Sequence, residues 1–155
     1  MAVDNYNAGM NAYDAGRFEE AKDWFEKGKE EDPRCLYALA VQYYNGKGVK
    51  QSYKESTLYY AQAADAGIPQ AMTSAGFAYA NALGVPEDFE KAVHYLKQAV
   101  EHKEFAGQIT LAELYAKGIG GGTRKEAAEM IREILKYGND EEAMDVYSRY
   151  ELHLA

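Results

Sequence analysis

Cysteine and long apolar runs are scarce in this sequence, and each shortage excludes a class of protein. Cys35 is the single cysteine among 155 residues, so an intrachain disulfide and a cysteine-rich zinc site are excluded. We interpret Cys35 as a small buried thiol. No apolar run approaches the roughly 20 residues that a membrane helix needs, and the first residues lack the apolar region of a secretory signal. These features predict a cytoplasmic protein without a membrane partner.

Positive charge is also in short supply. The chain has 17 Lys and Arg against 25 Asp and Glu, which gives a formal net charge of −8. Its field repels phosphate backbones and anionic lipids, and the basic residues are spread between acids rather than gathered in a patch. We therefore expect no nucleic-acid partner.

Catalytic and metal-binding motifs are absent from the sequence. It contains no Gly-x-Ser-x-Gly elbow, no convincing Cys/His pair and no HExxH. His94 and His102 are eight residues apart, about two helical turns, which is too far for adjacent metal ligands. We predict a non-enzymatic protein with no catalytic residue, no metal site and no cofactor. The alternative is a hydrolase or transferase that uses the chain as a scaffold, but no residue of the sequence can be named as its catalytic group.

The glycine-rich stretch YAKGIGGGTRKEA, from Tyr115 to Ala127, resembles a phosphate-binding loop only in composition. A P-loop follows a buried strand and ends in Lys followed by Ser or Thr, whereas here a predicted helix precedes the glycines and Thr123 stands before Lys125. We interpret the glycines as turn residues that supply positive φ angles between two packed helices.

The same stretch is one copy of an internal repeat. Tyr43, Tyr79 and Tyr115 are 36 residues apart, and Gly48, Gly84 and Gly120 form a second column in the same register. Around each glycine loop lie two apolar patterns with the i, i+3, i+4, i+7 spacing of a helix. Each unit is therefore predicted to be a helical hairpin in which the three repeated tyrosines pack between helices.

Two known repeat families resemble these units. The pattern LAVQYYNGKGV from Leu39, with its weaker copies from Ala75 and Leu111, is similar to the Sel1-like repeat. The segment from Tyr6 to Pro33 resembles a tetratricopeptide repeat. Gly121 stands where the Sel1-like pattern has a valine that plugs the loop into the core, so we expect the fourth loop to be less constrained than the others.

The resemblance implies an all-α fold, a right-handed α-α superhelix in a single domain over residues 1–155. Four hairpins are expected at residues 3–33, 34–68, 69–104 and 105–138, and a capping helix at 139–155. Pro69 and Pro86 are expected in or just before a first helical turn, and Asn139 as a helix cap. The predicted helices are Val3–Ala15, Phe18–Glu31, Cys35–Asn45, Tyr53–Ala66, Pro69–Asn81, Glu87–His102, Phe105–Lys117, Arg124–Tyr137 and Asp140–Leu152.

In such a superhelix the first helix of each unit lines a concave groove. The register then gives the candidate partner-binding residues: Tyr6, Met10, Tyr13, Tyr37, Val41, Tyr44, Asn45, Phe77 and Asn81. Tyrosine and methionine bury large apolar areas, and Asn45 and Asn81 are expected to pair with a bound backbone amide. In the fourth unit the register selects Ile109, Glu113 and Lys117.

The predicted function is that of a protein-interaction module, an adaptor, scaffold or regulator that binds a peptide or helix of a partner in this groove. The Lys, Asn and Arg residues with which chaperone-binding tetratricopeptide domains hold a terminal carboxylate are absent, so a hydrophobic or basic peptide suits the surface better. The alternative is an acidic inhibitor or immunity-type protein that blocks a basic site on its partner. Self-association into a homo-oligomer stays open.

Overall fold

A computed structural model describes residues 3–155, which form nine α-helices and a final 3₁₀ turn without a strand in that range. This confirms the predicted all-α fold. No helix end differs from its predicted position by more than three residues. The helices are α1 Asn5–Asp14, α2 Phe18–Gly28, α3 Pro33–Asn45, α4 Tyr53–Asp65, α5 Pro69–Ala80, α6 Phe89–Glu101, α7 Phe105–Ala116, α8 Arg124–Leu135 and α9 Glu141–Arg149, and the 3₁₀ turn is Leu152–Leu154.

The helices pair in chain order and stack into a solenoid. The hairpins are α1–α2, α3–α4, α5–α6 and α7–α8, and each packs on the next through the contacts α2–α3, α4–α5 and α6–α7. Among the repeated tyrosines, Tyr79 is buried, while Tyr43 and Tyr115 are half-buried. Tyr43 stacks on Tyr59 with ring centroids 5.7 Å apart, and Tyr79 stacks on Tyr95 at 6.2 Å. The repeated tyrosines are thus packing residues, as predicted.

The glycine column marks the joint between successive hairpins. Gly48 and Gly84 have φ angles of +73° and +70°. A Cβ on Gly48 would lie 2.5 Å from the backbone oxygen of Phe18, where α2 begins, and a Cβ on Gly84 would lie 2.7 Å from the Cα of Lys54 at the start of α4. Each loop therefore presses its backbone against the second helix of the preceding hairpin, and a side chain at this position has no space.

Two predicted helix starts need correction. Asp88 caps α6 by accepting from the Lys91 N–H at 3.0 Å, which leaves Pro86 in the loop before the cap. The start is fixed because the Asp88 N–H donates to the Tyr79 carbonyl at 3.0 Å. At α9 the cap is Asp140, whose carboxylate accepts from the Ala143 N–H at 2.9 Å, rather than Asn139. Pro69 is the first residue of α5, as predicted.

The C-terminal segment covers the inner surface of the fourth hairpin. Helix α9 packs on α7 and α8 and ends at Arg149, short of the predicted Leu152, because Glu151 takes a positive φ of 51° and starts the 3₁₀ turn. Beneath it Ile109 is 2% exposed, so its predicted place in the groove is wrong. Glu113 accepts from the Tyr150 hydroxyl at 3.0 Å and pairs with Lys117 at 3.1 Å, which ties both residues to this contact.

Cys35 is fully buried in the N-terminal core, as predicted, and burial raises the pKa of its thiol to about 11. The thiol is therefore protonated at neutral pH, and only the thiolate reacts rapidly with maleimides or disulfide reagents. We expect the folded protein to be labelled on the order of 100-fold more slowly than the chain in concentrated guanidinium chloride. Labelling rates measured in parallel check this, and equal rates would mean that α1, α2 and α3 separate readily in the native state.

No helix within residues 3–155 is both long enough and apolar enough to span a bilayer.

Candidate functional site

An aromatic pocket, here called the N-terminal pocket, opens between α1 and α3. Phe25 of α2, which is fully buried, forms its floor, and the pocket encloses about 170 Å³. The lining includes five of the nine candidate partner-binding residues and consists of Tyr6, Met10, Tyr13, Phe25, Tyr37, Ala38 and Val41. The 40° tilt between the Tyr6 and Phe25 rings, with centroids 6.2 Å apart, fixes one side of the pocket.

The rim of this pocket already carries a cation. The guanidinium of Arg34 lies 4.1 Å from the ring centroid of Tyr6 and pairs with Asp32 at 2.6 Å. Asp32 also accepts from the Arg34 N–H as the cap of α3, and the Arg34 contacts hold the pKa of the Asp32 carboxyl below its usual range. The face of Tyr6 is therefore covered, and the pocket offers an apolar interior.

A second pocket, the central pocket, lies between α3 and α5 with α4 as its floor. It encloses about 240 Å³ and is lined by Tyr44, Tyr53, Ser56, Thr57, Tyr60, Thr73, Ser74, Phe77, Ala78, Leu83, Ala106, Thr110 and Glu142. Two candidate residues stand here, Tyr44 and Phe77, which are 41% and 45% exposed. Because Phe77 is one repeat after Val41, the two pockets are equivalent places in successive units.

Four of the eight hydroxyl groups around the central pocket are bonded to the backbone. Ser56 donates to the Ala40 carbonyl at 2.8 Å, and Thr57 donates to the Leu83 carbonyl at 2.8 Å. The hydroxyls of Ser74 and Thr110 donate to the carbonyls four residues before them in their own helices. Little hydrogen-bonding capacity is left for a ligand on these four side chains, while the buried Thr73 hydroxyl, which also lines the pocket, has no hydrogen-bond partner within the described residues.

Tyr37 and Tyr60 form the partition between the two pockets. Their ring centroids are 5.6 Å apart, with Tyr37 facing the N-terminal pocket and Tyr60 the central one. Burial raises the pKa of both phenols, and the nearby Glu104 carboxylate raises that of Tyr37 further. Both rings are therefore neutral at physiological pH, and the two pockets lie on either side of this pair.

The groove closes toward the fourth hairpin. A Cβ on Gly107 of α7 would lie 2.7 Å from the Ala99 Cβ and 2.8 Å from the Thr73 Oγ1, so α7 approaches α5 and α6 as closely as a glycine permits. Beyond this contact α9 folds across α7 and brings Glu142 to the rim of the central pocket. The central pocket is thus closed on this side by Ala106 and Thr110 of α7 and by Glu142 of α9.

Asn45 and Asn81 line neither pocket. The side-chain amide of Asn45 donates to the Val41 carbonyl at 3.0 Å, and that of Asn81 donates to the Phe77 carbonyl at 2.9 Å. Each amide therefore closes the last turn of its own helix. A bond between their remaining carbonyl oxygen and a bound backbone amide stays a prediction.

Sequence reasoning missed most of the lining of the central pocket, including Tyr53, Tyr60 and Glu142. Tyr53 and Tyr60 belong to α4, a second helix that the resemblance placed outside the groove. Their seven-residue spacing places both on one face of α4, and this spacing can be read from the sequence. Glu142 lies almost a hundred residues from Tyr44 in sequence, and no local pattern connects the two.

Metal-ligating side chains do not converge in the part of the chain that the structure describes, since no group of three or more His, Cys, Asp or Glu residues is placed to hold an ion there. His94 instead contacts Gln98 of the same helix, with 2.8 Å between their side-chain nitrogens. Its ring also packs against Tyr95.

Residues 33–68 and 69–103 each match the model of the Sel1 repeat. These two segments contain the hairpins α3–α4 and α5–α6, which form the walls and floor of the central pocket. The chain is also similar to an uncharacterized protein of Neisseria meningitidis serogroup B, with 38% identity over 84 residues. That alignment covers 54% of this chain and 18% of the relative.

Two solved structures share the fold. A Sel1 repeat protein from Oxalobacter formigenes superposes with a TM-score of 0.79 at 23% identity, covering 94% of this chain and 59% of that one. A protective antigen present in uropathogenic Escherichia coli strains, which displays an SLR fold, superposes with a TM-score of 0.77 at 29% identity, covering 87% and 30%. The chain spans less than two thirds of the length of each of these proteins.

Proposed function

This chain is a member of the Sel1-repeat family, and from that premise we propose that it is a non-enzymatic interaction module that binds a segment of a partner protein along its groove. Sel1 repeats are generally protein–protein interaction modules. The observation that carries the proposal is that two large aromatic side chains at the central pocket are exposed. Tyr44 is 41% exposed and Phe77 is 45% exposed. Such side chains supply much of the binding energy in protein interfaces.

The two pockets suit two side chains of one bound segment. They lie on opposite sides of α3, and packed helices are about 8–10 Å apart. Side chains three residues apart in an extended segment, or two turns apart in a helix, span a similar distance. The N-terminal pocket, with Met10 and Val41 in its walls, accepts an apolar side chain. A cytosolic location, and partners that are proteins rather than nucleic acid, belong to the same proposal.

Replacing Phe77 by alanine is expected to weaken binding of a groove ligand by about tenfold or more, because the ring is a large contact surface at the mouth of a pocket. Peptides are selected from a random display library on the wild-type protein, and their affinities for each variant are measured by fluorescence anisotropy. Phe105→Ala is the matched control, since Phe105 is 42% exposed but stacks on Tyr137 outside the groove.

The result against the groove would be equal affinity of the wild type and Phe77→Ala for every selected peptide. The acidic-inhibitor alternative has its own signature in the same assay. Binding that collapses between low and moderate ionic strength while Phe77→Ala has no effect would favour the charged surface, because exposed charges are screened by salt and apolar contacts are not.

A further inference from the structure

We propose that the central pocket binds a basic side chain, arginine or lysine, of the partner segment. The inference rests on the proposed function and adds the chemistry of one contact to it. It separates the two pockets, which the repeat makes equivalent in position, into an apolar one and a cation-binding one.

The first argument is the arrangement of rings. Tyr44 of α3, Tyr53 and Tyr60 of α4 and Phe77 of α5 all line the central pocket. The centroids of Tyr44 and Tyr53 are 5.2 Å apart with their planes inclined by 53°, so their faces are not stacked on each other. A cation within about 6 Å of a ring centroid is attracted by the negative face of the ring, and several rings around one cavity add their attractions.

The second argument is charge. Of the lining residues that the structure describes, Glu142 is the one that carries a charge at neutral pH, and the set contains no Lys, Arg or His. Burial raises the pKa of the Tyr60 phenol, so the tyrosine ring stays neutral. Within residues 3–155 no ion pair engages Glu142, whose exposed carboxylate stands at the rim. The pocket therefore has an uncompensated negative charge beside aromatic faces.

The third argument is that aromatic rings elsewhere in this chain already hold cations. Arg34 lies over Tyr6 at 4.1 Å, Lys47 over Phe18 at 4.9 Å and Lys91 over Tyr79 at 5.1 Å. Among the described residues no such cation covers the four rings of the central pocket. In the N-terminal pocket Arg34 occupies that place on Tyr6.

The test uses three capped amino acids that need no partner protein: the N-acetyl methylamides of arginine, lysine and norleucine. Norleucine has the lysine chain without the ammonium group. Each is titrated into the full chain with labelled Tyr and Phe rings, and ring signals are followed by NMR. We expect arginine and lysine to shift the signals of Tyr44, Tyr53 and Phe77 with an affinity about three- to tenfold above that of norleucine.

A pair of variants isolates the carboxylate. Glu142→Gln is expected to weaken binding of the two basic probes about three- to fivefold and to leave norleucine unchanged. Glu141→Gln is the matched control, because it removes the same charge from the same first turn of α9 at a residue that does not line the pocket. Phe77→Leu, which keeps apolar area but removes a ring face, is expected to weaken the basic probes more than norleucine.

Norleucine binding as tightly as lysine, or equal effects of Glu142→Gln and Glu141→Gln, would overturn the inference. The same holds if the basic probes shift rings outside the pocket and none within it. Failure of the cation pocket and failure of the proposed function can be told apart: library peptides that bind the groove without a basic residue contradict the cation pocket alone. Basic probes that bind the pocket when no library peptide binds contradict the interaction-module proposal alone.

Discussion

Gly84→Ala is expected to destabilise the protein by about 3 kcal/mol or more, whereas Gly118→Ala costs about 1 kcal/mol. Both glycines have positive φ, +70° and +78°, so both alanines incur a similar conformational penalty. The two positions differ in the space that is available to a Cβ atom. A Cβ at Gly118 has nothing within 4 Å, but a Cβ at Gly84 would lie within 2.7 Å of the Lys54 Cα and closer still to the backbone nitrogen of that residue. The overlap is with backbone, which cannot turn aside like a flexible side chain.

Thermal and urea unfolding of the two variants measure this difference. For a chain of this length we expect Gly84→Ala to lower the Tm by roughly 6–12 °C and Gly118→Ala by roughly 2–4 °C. Equal losses at the two positions would show that the α5–α6 loop yields by moving away from α4. In that case the glycine column would mark a turn conformation only, and not the joint between hairpins.

Phe25→Ala is expected to cost about 3–5 kcal/mol, while Phe77→Ala costs less than about 1 kcal/mol. Phe25 is 0% exposed and forms the floor of the N-terminal pocket, so its removal opens a cavity between α1, α2 and α3. Phe77 is 45% exposed at the mouth of the central pocket, where its truncation leaves no enclosed void. The same chemical change is thus made at a structural position and at a proposed binding position.

Equilibrium unfolding compares the stability of the two variants, and a binding assay compares their affinity for groove ligands. Phe77→Ala should remain folded at 37 °C and lose affinity for groove ligands, while Phe25→Ala should lose stability first. A large loss of stability in Phe77→Ala would show that its ring supports the α3–α5 packing. Its effect on binding could then no longer be assigned to direct contact.

The helices and their pairing were predictable because each unit repeats the same local physics. Tyr43, Tyr79 and the glycines five residues beyond them have one register, so a hairpin inferred in one unit is supported by the others. Pro69 at a first turn and Cys35 in the core likewise follow from local rules. Pro86 and Asn139 were misplaced because an aspartate that follows each of them, Asp88 or Asp140, accepts the capping hydrogen bond from a first-turn N–H.

Only the part of the site that is formed by adjacent repeat units could be predicted from the sequence. Tyr6, Tyr37 and Val41 meet because α1 and α3 are adjacent in the stack. Glu142 reaches the central pocket because α9 folds back onto α7 and α8, a tertiary contact that a repeat register does not contain. For the same reason the sequence placed Ile109 in the groove, where α9 in fact covers it.

Gly48 and Gly84 each pack backward onto the helix backbone of the preceding hairpin, so the first two joints of the solenoid are built in the same way, whereas Gly120 meets the side chain of Val93 at the third. A unit of 36 residues carries both halves of the joint, a glycine that packs backward and a helix start that receives the next glycine. Duplication or loss of a whole unit therefore preserves the remaining joints, whereas a few residues inserted between Tyr79 and Asp88 would break one. A whole unit is therefore the increment by which such a chain can be lengthened or shortened without disturbing the joints at Gly48 and Gly84.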